Sequence, residues 1–368
     1  MRIRCCNDSP GFIDERLVRE QRIMSNLPVF VGLDYHQDSI QVCVLNQKGD
    51  VLLNRSAAND CQELGRIIQP LGIVQRVGIE ACCGAADLGE QLVQCLGWNV
   101  TLGHPAYIAK IKSSPDKSDY SDGRLIADLT RVGYLPRVWL APGNIRELRQ
   151  LVNHRQRLVD QGRAIKLQVG AILREQRVKI DPQLGSRWSK AWTAGVQDNE
   201  RLSKHARWIV NELLDDLKYV TSKIAKAEQR LREAAGEDKV VRQLLEQAGI
   251  GEVTAWVLRA YVGDFNRFKT AKQLARYCGM SPCNASSGNK TADAGLIDGC
   301  NKLLRLTIVQ AAHRLIRTTE RWRKLADSLR SRGKPPCVII GAVGNRWLRN
   351  LHHAMKESTR EQGVGSMN

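Results

Sequence analysis

Three short runs made mostly of apolar residues lie near the start of the chain. They cover residues 29–34, 39–46 and 51–55, and short apolar runs bounded by turn residues are typical of β-strands. A turn-like sequence at 47–50 joins the second and third runs. The pattern therefore predicts an antiparallel meander of three strands.

The next segment changes between strand-like and helix-like periods. VQRVGIE, residues 74–80, reads as a fourth strand, and residues 85–96 carry leucines at helical spacing. WNVTLGH, which ends before Pro105, reads as a fifth strand. Strands that come first and then alternate with helices predict a mixed α/β domain.

From about residue 143 the apolar positions follow a helical period. A long amphipathic helix rich in arginine comes first, and a second helix begins near residue 200. In the second helix apolar residues recur at 3–4 spacing over residues 210–234. This repeat predicts either an antiparallel hairpin within the chain or a coiled coil that pairs two subunits, and heptads alone do not separate the two.

A third region extends from about residue 240 to residue 355. It begins with a helix, the tight sequence Gly249-Ile250-Gly251 and another helix, which is a helix-hairpin-helix pattern. Gly249 and Gly251 would let backbone N–H groups at a helix N-terminus approach a nucleic-acid phosphate. The same glycines also end many ordinary helices. Further on, residues 313–334 concentrate arginine and lysine around Trp322, which suits a nucleic-acid contact or a solvated helix face.

Composition narrows the class of protein. The 368 residues include 56 Lys and Arg against 38 Asp and Glu, a formal net charge of +18. Such an excess is expected of a protein that binds nucleic acid, although cationic surfaces also serve membranes or solubility. No apolar run is long enough to span a bilayer and no export leader opens the chain, so we expect a cytoplasmic, nucleoid-associated protein without a membrane partner. The 11 cysteines form no C-x-x-C pair and are interpreted as reduced thiols.

Four carboxylates form the candidate catalytic set. Asp119 and Asp122 lie three residues apart at the start of a predicted helix, on one face, where their charges repel unless a cation lies between them. Asp34 lies on the first strand and Glu80 ends the fourth. Carboxylate oxygens suit Mg²⁺ or Mn²⁺, and this set fits two-metal phosphodiester cleavage. Singly, each residue also fits a turn, a cap or a helix-dipole role, and Asp116 is a rival ligand.

Several sequence blocks together resemble the DEDD transposases of insertion sequences. The likeness is to insertion-sequence family one hundred and ten, in its one-thousand-one-hundred-and-eleven subgroup, and it extends from about residue 29 to residue 355. The blocks that carry it are VGLDYH, VGIEACCGAADL, DKSDYSDGRLIADL, LRQLVNHRQRLVDQ, LLEQAGIGEVTAWVL and CGMSPCNASSGNK.

The resemblance implies a fold, a set of partners and a catalytic serine. It implies a RuvC/RNase H-like α/β domain, an α-helical coiled-coil segment and a mostly α transposase domain that contains the helix-hairpin-helix. It further implies a homodimer or homotetramer that works with a bridge RNA, which pairs with donor and target DNA. The DEDD quartet falls on Asp34, Glu80, Asp119 and Asp122, and the serine falls on Ser287, with Ser286 as the register rival.

The chain departs from the family pattern at three positions. Ala248 stands where proline usually precedes Gly-Ile-Gly, and Ala292 and Asp298 stand where arginine and lysine are expected. The last two changes remove positive charge beside a loop that handles phosphate. They put activity in question more than fold.

These observations predict a domain plan. The predicted segments are a flexible extension at 1–27, a RuvC-like catalytic domain at 28–142, a helical dimerisation and RNA-contact segment at 143–238, a transposase domain at 239–355 and a tail at 356–368.

We expect an RNA-guided recombinase with a composite, Mg²⁺-dependent site. Ser287 attacks phosphorus, which leaves a 5′-phosphoserine link and a free 3′-OH. Arg155, Arg157 and Lys166 hold nucleic-acid backbones while RNA pairing supplies specificity. The alternatives are a RuvC-like nuclease that uses water, a decayed binding protein without catalysis, and an actin-like ATPase or sugar kinase, for which no second glycine-rich segment exists.

Overall fold

The computed structural model describes residues 26–111, 118–284 and 293–364. Within these ranges the chain divides into two compact units, at the bond between Gly143 and Asn144. Ser286, Ser287, Ala292 and Asp116 lie outside the described residues. From Asn144 onward, the predicted segments 143–238 and 239–355 both lie in the second unit. The division between these two segments stays a prediction.

A six-stranded mixed sheet forms the centre of the first unit. Its order is β3-β2-β1-β4-β5-β6, with β1, β2 and β3 antiparallel, β1, β4 and β5 parallel, and β6 antiparallel to β5. The predicted meander and mixed α/β character are thus confirmed. The strands are β1 Pro28–Tyr35, β2 Ser39–Asn46, β3 Val51–Ala58, β4 Ile73–Glu80, β5 Val100–Gly103 and β6 Arg137–Val138.

Helices cover both faces of this sheet. On one face the apolar residues of β1 and β4 form a core with α1 (Cys61–Ile68) and α2 (Ala85–Leu96). On the other face α4 (Asp119–Arg131) packs against β1, β2 and β4. A short helix, α3 (Pro105–Ile111), follows β5. The predicted helix at 85–96 is confirmed, whereas α1 and α3 are additions that the apolar pattern left unassigned.

The second unit is almost entirely helical, as predicted. Its only strands among the described residues are β7 (Pro282–Asn284) and β8 (Asp293–Leu296), which form an antiparallel hairpin. The helices are α5 Gly143–Glu175, α6 Lys190–Gln197, α7 Lys204–Ala235, α8 Lys239–Leu245, α9 Glu252–Val262, α10 Ala271–Tyr277, α11 Lys302–Thr318, α12 Glu320–Ser331 and α13 Pro336–Val364.

The two long helices α5 and α7 pack against each other in opposite directions. Leu158 of α5 shares a buried cluster with Val220 and Ala227 of α7, and farther along α5 Val169 packs with Val210. The apolar repeat at 210–234 is therefore covered by α5 of the same chain. Of the two interpretations of the repeat, the intramolecular hairpin is the one observed, and a coiled coil between subunits stays a prediction.

A large apolar core lies in the rest of the second unit. Helix α9 is its most buried element, because seven of the eight residues from Ala255 to Val262 are buried. Residues of α11 and α13 pack around this helix. None of the helices described is long and apolar enough to cross a membrane.

Candidate active site

Two glycines determine where α4 lies on the sheet. Gly32 of β1 and Gly78 of β4 are paired neighbours in the parallel ladder. A Cβ atom on Gly32 would lie 2.2 Å from the backbone nitrogen of Ala127, and one on Gly78 would lie 2.0 Å from Oγ1 of Thr130. The absence of side chains at this pair lets α4 approach the sheet far closer than an ordinary strand surface would allow.

The alternation of the strands then selects which side chains face α4. Val31 and Leu33 of β1, and Val77 and Ile79 of β4, point into the core on the opposite face. Successive side chains of a strand alternate between faces, so Asp34 lies on the α4 face two residues after Gly32. Glu80 lies two residues after Gly78 in the same way. Because Gly32 pairs with Gly78 and Leu33 pairs with Ile79, Asp34 and Glu80 lie side by side at the ends of their strands.

Helix α4 contributes two more carboxylates at its first turn. Ser118 is the N-cap and its side chain accepts a hydrogen bond from the backbone N–H of Ser121, which begins the helix at Asp119. Asp119 and Asp122 therefore occupy the first turn, where negative charge is favoured by the helix dipole. The sequence pattern predicted that Asp119 and Asp122 share one face of a helix, and both lie in the first turn of α4.

All four predicted carboxylates line one cavity of about 380 Å³, here called the carboxylate cavity. They come from three elements that are distant in sequence: Asp34 from β1, Glu80 from β4, and Asp119 and Asp122 from α4. Asp34, Glu80 and Asp122 are half-buried and Asp119 is exposed. Carboxylates at this density repel each other, and a bound divalent cation would relieve that repulsion.

A histidine that the sequence interpretation missed also lines the carboxylate cavity. Nε2 of His36 lies 3.6 Å from Oδ2 of Asp34 and 3.6 Å from Oδ2 of Asp119. One ligand atom from each of these three residues lies within 4.8 Å of the others, close enough to hold one metal ion. The signal was present in VGLDYH, because His36 follows Asp34 at the same-face spacing of a strand.

Tyr35 and Cys82 also line the carboxylate cavity. Desolvation raises the pKa of the Cys82 thiol, and the negative charges of Glu80 and Asp34 raise it further. The sulfur therefore stays protonated at neutral pH and is a poor nucleophile and metal ligand. The available donors are carboxylate oxygens and one imidazole, a set suited to Mg²⁺ or Mn²⁺.

The three basic residues predicted to bind nucleic acid lie in different environments on α5. Arg155 is ion-paired, with Nη2 at 2.7 Å from Oε1 of Glu228 on α7, and its side chain is only 16% exposed. Nζ of Lys166 lies 5.5 Å from the centre of the Trp188 ring. Arg157 is exposed to solvent. Arg157 is thus the one of the three best placed to contact a phosphate.

The two glycines of the predicted hairpin join α8 to α9. Gly249 adopts a positive φ of +83°, and a Cβ there would lie 2.5 Å from Cδ2 of Leu315. Gly251 is the N-cap of α9. Gly249 is therefore required by backbone conformation and packing, while Gly251 leaves the first N–H groups of α9 without a side-chain cap.

Comparison with known proteins gives a class for this arrangement. Residues 31–177 match the family model of DEDD transposases of the IS110 type, and residues 241–327 match the model described as Transposase IS116/IS110/IS902 family. The first match contains most of β1, the whole of β4 and α4, and all four carboxylates. The fold and the carboxylate cavity thus belong to a transposase, an enzyme that acts on DNA.

Curated relatives agree with this class over most of their length. The chain is similar to the transposase for insertion sequence element IS1111A of Coxiella burnetii, with 22% identity over 81% of this chain and 80% of that one. It is similar to a probable family 20 transposase of Pseudomonas aeruginosa, with 24% identity over 89% and 97%. It is also similar to the transposase for insertion sequence element IS1328 of Yersinia enterocolitica, with 24% identity over 77% and 82%. The chain belongs to the IS110 family of insertion-sequence transposases.

Proposed function

We propose that this transposase cuts and rejoins DNA strands at the carboxylate cavity, with Ser287 as the nucleophile and a bridge RNA as the guide. The observation that carries the proposal is the convergence of four carboxylates from β1, β4 and α4 on one cavity. The serine and the guide come from the resemblance to the DEDD transposases.

Asp34, Glu80, Asp119 and Asp122 are the proposed ligands of Mg²⁺ or Mn²⁺, with His36 as an additional donor. Bound divalent metal supplies charge stabilisation at a scissile phosphate. The half-buried carboxylates restrict where that phosphate lies, and the exposed Asp119 leaves one side of the cavity open to DNA.

The proposed chemistry balances without a high-energy cofactor. Oγ of Ser287 loses its proton and forms a bond to phosphorus, while the bond from phosphorus to the 3′-oxygen breaks and that oxygen takes up a proton. The product is a 5′-phosphoserine and a free 3′-OH. Attack by the 3′-OH of another strand releases the serine and completes the exchange.

The proposed RNA guide is supported by the charge of the chain and by the resemblance to the DEDD transposases. The net charge of +18 favours binding to phosphate backbones without sequence preference. Arg157 on α5 and the N-terminus of α9 at Gly251 are the proposed backbone contacts. Specificity would then come from base pairing between RNA and both DNA partners.

The test uses three variants in the presence of the RNA that co-purifies with the protein. Ser287→Ala should keep metal and RNA binding and lose the covalent protein–DNA adduct, whereas Ser286→Ala should keep the adduct. Asp119→Asn should lose both cleavage and adduct. An adduct that survives in Ser287→Ala would overturn the serine assignment.

We also propose that subunits of a dimer or tetramer share these sites. Mixing Ser287→Ala chains with Asp119→Asn chains should then restore part of the strand exchange, because each chain supplies what the other lacks. Mixed assemblies that form and stay inactive would place serine and carboxylates of one site in the same chain.

Two other functions give different results in the same assays. A RuvC-like nuclease that uses water would cleave DNA without an adduct and would tolerate Ser287→Ala. A decayed protein that binds nucleic acid without cleaving it is favoured by Asp298, which stands where the family pattern has a lysine. Oδ1 of Asp298 lies 3.8 Å from Nη1 of Arg305. That protein would bind nucleic acid and cleave nothing, and Asp298→Lys would be expected to recover activity.

A further inference from the structure

A strongly basic groove lies between α12 and α13 of the second unit. Its volume is about 450 Å³ and its lining includes three arginines, Arg321, Arg346 and Arg349. Arg346, Arg349 and His353 project from one face of α13, because they lie three and four residues apart. No carboxylate is among its lining residues.

The arginines of this groove keep their charge available. Among the described residues, none of Arg321, Arg346 and Arg349 forms an ion pair, and all three are exposed. With its amide oxygen turned toward α12, Asn350 accepts from Nη2 of Arg321 at 2.8 Å. The Arg321 guanidinium also lies 5.1 Å from the centre of the buried Trp322 ring. Arg321 is thus positioned by Asn350 and Trp322, whereas Arg346 and Arg349 are exposed in the lining of the groove.

The positive charges of arginines this close together repel one another unless a bound anion neutralises them. The chain holds 38 acidic residues, and neighbouring exposed cations such as Lys324 and Arg330 are ion-paired. Guanidinium groups bind phosphate oxygens in a bidentate manner. From Arg346 to His353 the helix axis spans roughly 10 Å, which corresponds to about three phosphates of one duplex strand.

The groove adjoins the hairpin that precedes and follows the serine segment. Arg346 and Arg349 also line a second cavity of about 530 Å³, together with Pro282 of β7 and Leu296 of β8. The two arginines therefore lie between the basic groove and the base of that hairpin. A strand held by Arg346 and Arg349 would pass next to the base of β7 and β8.

We propose that the α12–α13 groove binds the phosphate backbone of the DNA strand that the transposase cuts, through Arg321, Arg346 and Arg349. The inference rests on the proposed function for the identity of the strand. It assigns a role to the basic sequence around Trp322, for which the sequence alone allowed either a nucleic-acid contact or a solvated helix face.

The test measures DNA affinity against salt concentration, with the full chain and no divalent metal. Fluorescence anisotropy with a labelled duplex, and with RNA of the same length, gives the slope of log K against log salt. This slope is negative, and each lost phosphate contact makes it less steep by about 0.9 for duplex DNA. The double variant Arg346→Gln with Arg349→Gln should make the slope less steep by about 2. The double variant Arg346→Lys with Arg349→Lys should keep most of the wild-type steepness.

The control removes the same charge from the same region. Arg323→Gln with Lys324→Gln changes two exposed cations of α12 that do not line the groove, and it should leave the slope near that of the wild type. An equal loss in the control, an unchanged slope in the arginine variant or a loss confined to RNA would each overturn the assignment. Because no cleavage is measured, failure of the Ser287 chemistry would not alter these results.

Discussion

At the scale of single residues, the position of the four carboxylates of the carboxylate cavity depends on two glycines, which have no side chains. Gly32 and Gly78 sit side by side in β1 and β4, and α4 occupies the space that their Cβ atoms would fill. The nearest atoms to Gly32 belong to the backbone of α4. Because backbone cannot rotate away as a side chain can, any substituent at Gly32 would push the whole helix outward.

Gly32→Ala should therefore destabilise the protein and reduce strand cleavage together. We expect a loss of about 1–3 kcal/mol or more in the free energy of unfolding, since overpacking against rigid neighbours costs that much. Urea unfolding followed by circular dichroism measures it. Gly162→Ala is the control, because a Cβ there meets Leu217 and Val220 at an ordinary 3.7 Å and should stabilise α5 slightly. Equal stability of the two variants would contradict the close approach of α4.

His36 carries the second residue-scale prediction. Its Nε2 lies within reach of Asp34 and Asp119, so His36→Ala should raise the Mn²⁺ concentration needed for half-maximal cleavage by roughly 10- to 100-fold. His104→Ala is the control, because His104 contacts the Tyr107 ring and does not line the carboxylate cavity. An unchanged metal requirement in His36→Ala would remove this residue from the site.

The sequence predicted the four carboxylates but not the geometry that assembles them. Short apolar runs marked β1 and β4, and helical spacing marked Asp119 and Asp122. Gly32 and Gly78 gave no signal, because a glycine inside a strand has no side chain whose polarity could reveal a neighbour. The signal for His36 was its spacing of two residues from Asp34, and a pattern made of carboxylates alone does not include an imidazole.

At the scale of elements, two arginines on α5 separate a structural role from a binding role. Arg155 pairs with Glu228 across the α5–α7 contact and is mostly buried, whereas Arg157 is exposed. Arg155→Ala should lower the melting temperature, because Glu228 would keep a partly buried charge without its partner. Arg157→Ala should leave melting unchanged and weaken RNA retention at moderate salt. The reverse pattern would show that the two assignments are exchanged.

Helix α13 carries a buried histidine that makes stability depend on pH. His352 is 2% exposed, its Nε2–H donates to the carbonyl of Phe268, and its Nδ1 is buried without a partner. Desolvation lowers the pKa of His352 below its ordinary value. The folded state thus resists a proton that the unfolded state accepts, so the free energy of unfolding falls as pH drops through about 6.5.

Thermal melting between about pH 7.5 and pH 5.5 tests this dependence. His352→Gln should flatten the decline, because Gln keeps a donor for Phe268 and has no titrating group. His313→Gln, on the exposed face of α11, should leave the decline as it is. A wild-type protein that melts at the same temperature across this range would contradict the account of His352.

The order of helices and strands was the property that the sequence predicted best, and the contacts between helices were the property that it predicted least well. The periodicity of 210–234 predicted an apolar stripe on α7 but not which helix would cover it, because heptads describe a face and not its partner. The pairing of Arg155 with Glu228 depends on that partner. The basic groove likewise joins Arg321 to Arg346 and Arg349 across a helix boundary, where no local pattern connects them.

At the scale of the whole molecule, a cluster of four carboxylates lies in a strongly basic chain. The net charge of +18 draws DNA and RNA to the surface, while the carboxylate cavity would repel a phosphate unless cations neutralise it. Metal binding therefore decides whether the cavity is a catalytic site or a cluster of surface acids. The binding of Mn²⁺ can be measured without knowing the target DNA or the guide RNA.

The most direct test is titration of the protein with Mn²⁺, followed by the electron paramagnetic resonance signal of the free ion. We expect saturable binding by the wild type and at least tenfold weaker binding by Glu80→Gln and Asp34→Asn. Asp87→Asn should bind Mn²⁺ as the wild type does, because the Asp87 carboxylate lies on α2 outside the carboxylate cavity. Glu80→Gln and Asp34→Asn that bind Mn²⁺ as tightly as the wild type would contradict the central claim.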